Sequence, residues 1–490
     1  MSKVFFACLV VTTCLTPIAA KAATIDQAGA DQLRDSLEHY IGTAPSGQMP
    51  YVSVMPDGAA YKVTFDSHAI TTKIVEVLKL PINLDVSPIF FHAAPVDGGK
   101  WHIYDYSLFK GSASLMDLSY SVTMDKVDFD GIYDPAIGTF VSEKTSIPLM
   151  TLDQQAPNMT ATTTLRDMMQ TQSATAGHDG TVDVIADSRY RAYQQTLIMV
   201  PPGGTSANGG KTDTMKLTAE SRTSNVKING LRARQVVAFW AMALANKTPE
   251  DSAAHKEDLK AALMNFLPVF DRLAYSDGAK SVAIKTSYGE AAIASASATL
   301  DISTVPGANS AATTISVDDF SIDSVLLPPG VQPLLPTKIS VGADVKNFDI
   351  NAFFHKAFEF EGKLPSDPAG KAAYNEELKA AFVPTGALLI TLPPSAVSGK
   401  DYTIGWQGEI KATVDKTPHA TIHLDVKAMG LDMLARQVGQ LKVPHAAEAM
   451  IGIYGAQALA RKEPDGSLAW AVDISDGGTL LVNGKPIGKK

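Results

Sequence analysis

Alternation of apolar and polar residues with a period of two is the feature that most restricts the fold of this 490-residue chain. It is clearest from about Tyr51 to Val200. Because successive side chains of a β-strand point to opposite faces, this pattern predicts strands with one buried face. The strongest examples are Val52/Val54, Tyr61/Val63/Phe65, Ile82/Leu84/Val86, Trp101/Ile103 and Val127/Phe129.

Turn dipeptides between these segments favour antiparallel connections. Asp-Gly recurs at 57, 97, 130, 179, 277, 465 and 476, and Asn-Gly at 208, 229 and 483. Both dipeptides accept the positive φ angles of tight hairpins. Parallel strands would need long helical crossovers, and the first half of the sequence shows few of them. We therefore predict an α+β fold: a large, curved, mainly antiparallel β-sheet with short amphipathic helices packed on it.

Helical periodicity appears at a few places. Gln27 to Tyr40 places Leu33, Leu37 and Ile41 on one stripe, which predicts an amphipathic helix. Three more helices carry capping or proline signals near their starts, and a hairpin is expected at the C-terminus. These three helices are expected after Thr248-Pro249, from Ser366 to about Phe382, and from Ala446 to Arg461.

A loose recurrence marks the second half of the chain. Three segments run from a strand through a short break into an amphipathic helix, and each contains Val-Lys at the end of the strand. Chance explains the Val-Lys matches as well as common descent does, so we interpret them as a repeated supersecondary arrangement. The segments are Val226 to Trp240, Val345 to Phe358 and Val426 to Val438.

The first 22 residues have the pattern of a cleavable export signal. Lys3 supplies a positive start, Val4 to Ala19 are mainly apolar, and Ala20-Lys21-Ala22 fits an A-x-A cleavage site. A membrane anchor needs about 20 apolar residues, and this shorter stretch is interrupted by polar ones. A lipoprotein signal is disfavoured because neither Cys8 nor Cys14 closes a suitable box. We expect a periplasmic protein, cleaved near Ala22, without cysteine in its mature form.

Four regions are expected along the chain. They are a signal peptide at 1–22, a helix plus antiparallel sheet at 23–200, a flexible loop at 201–212, and a mixed strand and helix region at 213–490 that continues the same sheet. Cleavage removes Lys3 and Lys21, so the net charge changes from −9 to −11. An acidic chain without basic clusters argues against nucleic acid and against electrostatic docking on anionic lipid. Transient membrane association and the oligomeric state stay open.

Motifs for chemistry are missing from the sequence. It has no Gly-rich phosphate loop, nucleophile elbow, zinc motif or paired cysteines. Of the ten histidines only His419 and His423 lie close together, in a segment that alternates like a strand. On a strand their rings would lie about 13 Å apart, too far to share a metal ion. We predict no catalytic residue, no cofactor and no metal, and leave the ligand-binding residues open.

Two patterns match functional motifs by residue type alone. Ser224-Asn-Val-Lys227 fits the S-x-x-K nucleophile pattern, but that chemistry needs a helical turn and this segment is expected to be a strand. A group of aspartates offers carboxylates for calcium, but it lacks the loop spacing and closing glutamate of an EF-hand, so a solvated hairpin face is expected. These aspartates are Asp125, Asp128, Asp130 and Asp134.

Two aromatic clusters are more suggestive. Core packing is the simpler interpretation, and lining of an apolar ligand site is the alternative. The expected architecture favours the ligand-site interpretation, because helices that cover only part of a curved sheet leave an apolar groove. The clusters are Phe90, Phe91, Trp101, Tyr104 and Tyr106 around one hairpin, and Phe353, Phe354, Phe358 and Phe360 in one helix.

Two C-terminal sequence segments resemble those of a known group of proteins. They are Lys427-Ala-Met-Gly-Leu-Asp-Met-Leu434 and Asp476-Gly-Gly-Thr-Leu-Leu-Val-Asn-Gly-Lys-Pro-Ile487. With the export segment and the many strands, the chain resembles the YdgA-like families of bacterial envelope proteins and, through them, AsmA-like proteins. The resemblance implies a periplasmic protein whose long curved sheet holds or passes lipid acyl chains, and it supplies no catalytic residues. AsmA-like proteins keep a membrane anchor, whereas the signal here is expected to be cleaved.

Three functions follow as hypotheses. The first is a non-enzymatic periplasmic protein that binds or carries an apolar ligand such as lipid in a groove of the sheet and serves envelope homeostasis. The second is a periplasmic hydrolase with a dispersed site, which would show a pocket holding a histidine, a carboxylate and a nucleophile. The third is a structural or adaptor protein, which would show a large exposed apolar patch without a pocket.

Overall fold

The computed structural model describes residues 25–44, 49–77, 82–106, 109–199, 213–245, 255–307, 309–359, 367–414, 419–475 and 477–487. Within these ranges the chain forms eight short helices and 26 strands, which confirms the predicted α+β fold with a mainly antiparallel sheet. The predicted signal peptide at 1–22 and the predicted loop at 201–212 lie outside the described residues. The chain divides into an N-terminal unit, Met1–Asp271, and a C-terminal unit, Arg272–Lys490.

The N-terminal unit contains four of the described helices and fourteen strands. The helices are α1 (Gln27–Ile41), α2 (Ser67–Val77), α3 (Ala233–Ala245) and α4 (Lys256–Phe266). The strands are β1 (Val52–Asp57), β2 (Ala60–Phe65), β3 (Asn83–Val86), β4 (Ile89–Val96), β5 (Lys100–Tyr104), β6 (Phe109–Leu115), β7 (Leu118–Met124), β8 (Asp128–Asp134), β9 (Thr139–Ala156), β10 (Met159–Ala176), β11 (Val182–Tyr190), β12 (Ala192–Met199), β13 (Asp213–Ala219) and β14 (Ser221–Leu231).

A long hairpin of β9 and β10 organises the N-terminal unit. On its outer edge β9 pairs with β8 along its first half and with β7 along its second half. On its outer edge β10 pairs with β12 and then with β11. The partner strand of β9 changes at Pro148, which has no N–H to donate. The partner strand of β10 changes at Asp167, whose φ is +48°. Two antiparallel ladders therefore share this hairpin: one adds β7 and β12 to it, and the other adds β8 and β11.

The main core of the N-terminal unit lies between α1 and one face of the sheet. The Asp26 side chain caps α1 by accepting a hydrogen bond from the Gly29 N–H at 2.8 Å. Leu33, Leu37 and Ile41 are buried, as their spacing predicts. Alternate strand residues complete the core. These strand residues are Val52, Val54, Tyr61, Val63, Phe65, Phe91, Ala93, Trp101 and Ile103.

The C-terminal unit contains the other four described helices and twelve strands. The helices are α5 (Ile350–Glu359), α6 (Pro368–Phe382), α7 (Leu431–Gly439) and α8 (Ala446–Leu459). The strands are β15 (Arg272–Thr286), β16 (Gly289–Ser303), β17 (Asn309–Asp318), β18 (Ser321–Ser324), β19 (Lys338–Phe348), β20 (Ala387–Ser398), β21 (Thr403–Thr413), β22 (Ala420–Met429), β23 (Arg461–Lys462), β24 (Leu468–Ile474), β25 (Leu480–Val482) and β26 (Lys485–Pro486).

An antiparallel meander forms the sheet of the C-terminal unit. β15, β16, β17, β19, β20, β21, β22 and β24 each pair with the next strand in that order, and the predicted C-terminal hairpin adds β25. Two helix pairs interrupt the meander: α5 and α6 follow β19, and α7 and α8 follow β22. Both pairs are therefore attached at strand ends.

The helix predictions agree with the structure where it describes them. β14 leads into α3, β19 into α5 and β22 into α7, each after one residue, so the predicted recurrence is confirmed. The helix predicted after Ser366 is α6, in which Asp367 accepts a hydrogen bond from the Gly370 N–H at 2.7 Å. The helix predicted from Ala446 is α8. The helix predicted after Thr248 is described only from Lys256 onward, as α4.

Some of the turn dipeptides occupy other positions. Those at 57, 97, 179, 465 and 483 lie in turns between strands, whereas Gly131 and Gly278 lie inside β8 and β15, and Gly230 near the end of β14. The prediction of a hairpin turn is wrong at these three places, although Gly230 has the positive φ that the dipeptide favours. Asn208 and Asp476 lie outside the described residues. At Gly131 a Cβ atom would lie 2.8 Å from the ring of Phe140, so close packing of that ring requires the glycine.

Candidate functional site

A row of apolar side chains crosses the sheet of the C-terminal unit. Directly opposite residues of an antiparallel pair project from the same face, so the pairs can be followed from strand to strand. Every member of the row found in this way is apolar. The first row is Leu273, Ile302, Ala311, Val345, Ile390, Ile410, Ile422, Ile474 and Leu480.

A second row crosses the same face nearer the other ends of the strands. In β21 the two rows are six residues apart, at Ile410 and Ile404, and an even separation keeps both on one face. We call the surface that carries both rows the apolar face. The second row is Ala279, Ala296, Val317, Ile339, Val397, Ile404, Ala428 and Leu468.

The apolar face is covered only in part. All members of the first row are half-buried, and Ala428 is the buried member of the second row. Ile315 of β17, which lies between the rows, is exposed. Apolar area that stays in contact with water forgoes its hydrophobic stabilisation. A continuous surface of this kind marks a binding site more often than scattered exposed residues do.

One corner of the apolar face is covered by α7 and α8. Ala428, Leu431 and Trp470 form a buried cluster there. The Trp470 Nε1–H donates a hydrogen bond to the carbonyl oxygen of Ala456 in α8 at 2.8 Å. Ala435 of α7 is also buried. This helix pair closes the end of the face at β22 and β24.

The opposite face of the same sheet is polar. The row adjacent to the first one carries charged and titratable side chains, so the sheet is sharply two-faced. Lys346 Nζ lies 2.8 Å from Asp344 Oδ2, and this ion pair is one of several on this face. The titratable members of the row are Asp301, Asp344, Glu409, His423 and Asp473.

His423 and His419 are not brought together. Both belong to the strand segment that the alternation predicts, with His419 next to the start of β22. His423 Nδ1 lies 2.7 Å from Asp473 Oδ1, and this hydrogen bond is the main reason why the pKa of His423 is raised. His419 Nδ1 lies 3.1 Å from Thr413 Oγ1. Among the described residues, no group of three or more His, Cys, Asp or Glu side chains is arranged to hold a metal ion.

The remaining motif residues occupy strand surfaces. Ser224 and Lys227 lie in β14, and their odd separation puts them on opposite faces, so they do not form a nucleophile pair. Asp128, Asp130 and Asp134 lie in β8, and each contacts a basic side chain. The contacting atoms are Lys126 Nζ at 2.6 Å, His102 Nε2 at 3.0 Å and Lys100 Nζ at 3.4 Å.

The aromatic clusters divide between core and surface. Phe91 and Trp101 are buried in the core of the N-terminal unit, whereas the ring of Phe90 is exposed beneath Lys62 Nζ at 4.6 Å. In the C-terminal unit Phe353 packs edge-on against Phe382 of α6, with ring centroids 5.8 Å apart. The ring of Phe354 stacks on Phe358 at 6.5 Å, and Phe360 lies outside the described residues.

Histidine and carboxylate pairs of the N-terminal unit lie away from its described pocket. His92 Nε2 lies 3.0 Å from Asp57 Oδ2, and His68 Nδ1 lies 2.8 Å from Asp85 Oδ1. The pocket has a volume of about 370 Å³ on β10, β12 and β13, and polar side chains dominate its wall. It is lined by Thr164, Arg166, Ala192, Tyr193, Gln194, Thr218, Ala219 and Glu220.

One half-buried carboxylate of the N-terminal unit has a raised pKa. Glu143 lies in β9 opposite Gly131, and its Oε1 accepts hydrogen bonds from Thr145 Oγ1 at 3.0 Å and Gln170 Nε2 at 3.4 Å. Burial raises the pKa of Glu143 above its ordinary value of 4.5, and the two hydrogen bonds offset part of that effect. Glu143 therefore favours its neutral form more than an exposed glutamate does.

Comparisons with known proteins give no relative. No match to this chain is found among protein-family models, curated proteins or solved structures. The resemblance to YdgA-like and AsmA-like families therefore stays a prediction. Within the described part of the chain, none of the helices has both the length and the apolar character that crossing a bilayer requires.

Proposed function

We propose that this chain is an exported, non-enzymatic protein that binds an apolar ligand, such as the acyl chains of a lipid, on the apolar face. The observation that carries the proposal is the pair of continuous apolar rows whose members are almost all half-buried. Export rests on the predicted signal at 1–22. A role in lipid homeostasis of the envelope follows from that location and from the chemistry of the ligand.

The dimensions of the apolar face suit acyl chains. The first row crosses nine strands. Eight spacings of about 4.8 Å give a length of about 38 Å along the sheet. The rows lie about 20 Å apart along the strands, since six residues at about 3.4 Å separate them. One leaflet of the hydrocarbon core, about 15 Å thick, sets the scale of an acyl chain. The face has room for more than one chain.

Hydrophobic burial can supply the affinity. Each methylene group removed from water contributes about 0.8 kcal/mol, so ten such groups contribute about 8 kcal/mol before the cost of immobilisation. Neither row contains a charged or hydrogen-bonding side chain. Recognition is therefore expected to act on the apolar part of the ligand, with its headgroup left in water.

Native mass spectrometry of the protein purified from the periplasm, followed by lipid extraction, tests the proposal. We expect bound lipid in the native protein and a large loss of it in Ile390→Asn, which places an amide in the middle of the first row. Thr391→Asn is the matched control. It changes the next residue of β20, which projects from the opposite face.

The interpretation depends on both variants being folded, which thermal unfolding establishes. Equal lipid content in the two variants would contradict a site on the apolar face. A native protein that carries no lipid and instead retains a stoichiometric protein partner would favour the adaptor hypothesis.

A further inference from the structure

Helix α8 has a composition that is unusual for a surface helix. Its sequence from Ala446 to Leu459 is AAEAMIGIYGAQAL, in which Glu448 is the single charged residue. Apolar residues occur all round the helix rather than along one stripe. A helix of this kind is normally buried within a protein or in contact with a membrane.

Most of α8 is nevertheless exposed. Met450, Ile453 and Gln457 face inward and are partly covered, whereas ten of its fourteen residues are exposed. Ile451 is 65% exposed, and Tyr454 and Leu459 are each 43% exposed. The helix thus presents large apolar side chains to its surroundings.

Helix α6 of the same unit shows the ordinary arrangement. Its exposed surface carries Lys371, Glu376, Glu377 and Lys379, and Lys379 Nζ lies 2.8 Å from Glu376 Oε1. Such i, i+3 ion pairs are typical of a helix that faces water. From Ala449 to Ala460, by contrast, the region of α8 contains no charged side chain.

Cations flank the apolar stretch of α8 at both ends. Lys442 precedes the helix, Arg461 and Lys462 follow it after Ala460, and all three are exposed. Acyl chains bounded by anionic headgroups are the complement of an apolar helix bounded by cations. A length of 14 residues suits a helix that lies in the membrane interface and does not span the bilayer.

A second apolar element lies at the same end of the sheet. Val325 and Leu326 follow β18 and are 84% and 69% exposed. The segment that continues from them reaches the 3-10 turn Gln332–Leu334, which contacts α7. The Tyr402 hydroxyl, in the turn between β20 and β21, donates a hydrogen bond to the carbonyl oxygen of Leu334 at 2.8 Å.

We propose that α8 docks this protein on the surface of a lipid bilayer that contains anionic headgroups, by inserting Ile451, Tyr454 and Leu459 into the interface. Apolar insertion drives the contact, and the flanking cations only orient it, so the docking differs from the electrostatic docking that the acidic composition disfavours. A second copy of the chain fits less well, because ten exposed residues fall short of the roughly 20–30 residues per side of a stable interface. The docking does not require that the apolar face binds a ligand.

Vesicle flotation of the protein purified from the periplasm tests the docking. The probe is vesicles of phosphatidylethanolamine with phosphatidylglycerol. We expect the protein to float with the vesicles, and Ile451→Glu to weaken partitioning by about tenfold, because one large side chain loses its apolar burial. Tyr454→Ser gives a milder second variant with an effect in the same direction.

Val305→Glu is the matched control. Val305 is an exposed valine in the segment after β16, at the end of the sheet away from α8, and this change should leave flotation unaltered. Equal flotation of Ile451→Glu, Tyr454→Ser and the native chain would overturn the proposal. So would a self-association, measured by sedimentation velocity, that Ile451→Glu abolishes. Flotation without any bound lipid in the purified protein would support docking and contradict the ligand proposal.

Discussion

The two units use the same antiparallel pairing and cover their apolar faces differently. In the N-terminal unit α1 lies over the sheet, so Tyr61, Ala93 and Ile103 of one paired row are buried. In the C-terminal unit the equivalent rows are half-buried, because the helix pairs are attached at strand ends and α7 and α8 cover only one corner.

One residue pattern therefore leads to two different degrees of coverage in the two units. Period-two alternation in the N-terminal unit produces a dry core, whose benefit is stability. The same alternation in the C-terminal unit produces more apolar surface than its own helices cover. That surplus is the surface on which we propose that a ligand binds, since a large exposed apolar surface otherwise lowers solubility.

The largest expected contrast comes from shortening one side chain in each unit. Leu37→Ala removes a buried side chain of α1 and should lower the free energy of unfolding by about 3 kcal/mol. Ile390→Ala on the apolar face should lower it by only about 1 kcal/mol, because much of that side chain already contacts water. Chemical denaturation of the native chain and both variants measures the two losses.

Purification without ligand provides the control for this pair. Equal losses in ligand-free protein would contradict the difference in coverage between the two faces. A loss at Ile390 that grows when lipid is added would sharpen the comparison, since ligand binding to the folded state adds to stability.

Glu143 offers a smaller contrast within the N-terminal unit. Glu143→Gln should raise the free energy of unfolding by about 1 kcal/mol at neutral pH, because it removes a partly desolvated charge and keeps the two acceptor contacts of Oε1. Since burial raises the pKa of Glu143, the native chain loses stability as pH rises from its ordinary 4.5 through the folded value.

Denaturation at several pH values therefore checks the sign of the effect. The advantage of Glu143→Gln should disappear below about pH 4, where both states of the native chain carry a neutral side chain. An advantage of equal size at pH 3 and pH 7 would mean that the effect is not one of charge.

The smallest effect is expected at His423, on the polar face of the C-terminal unit. Its raised pKa means that the contact with Asp473 contributes fully below pH 6.5 and is lost as pH rises through the folded value. In an NMR titration, Asp473→Asn should lower the pKa of His423 more than Asp425→Asn does, because Asp425 Oδ2 is 3.8 Å away. A larger shift from Asp425→Asn would refute this assignment.

Local patterns made the strands and most helices predictable. The stripe of Leu33, Leu37 and Ile41 locates α1 within a residue, and the proline after Asp367 locates the start of α6. The alternation does not reveal α2, a short helix between two strands whose residues include Thr71 and Thr72 and carry little helical signal. The Asp130-Gly131 dipeptide wrongly predicts a turn, because the requirement for glycine at 131 comes from the distant Phe140.

The kind of candidate site could be predicted from the sequence, but the residues that form it could not. A partly covered apolar face follows from alternation and short helices, whereas membership of a row depends on register across many strands. Ile390 pairs with Val345 on one side and Ile410 on the other, and nothing local to Ile390 specifies either partner. The exposure of α8 likewise depends on how it packs against α7, which its composition alone does not determine.

The shared hairpin of β9 and β10 has a consequence for how the N-terminal unit opens. Each of the two ladders contains one half of β9 and one half of β10, so neither ladder has a central hairpin of its own. If the outer strands of one ladder separate from the hairpin, those of the other ladder stay paired with the same two strands. Pairing between β9 and β10 is interrupted at Pro148 and Asp167 and resumes on both sides. Because both ladders share β9 and β10, we expect them to unfold in one cooperative event rather than two.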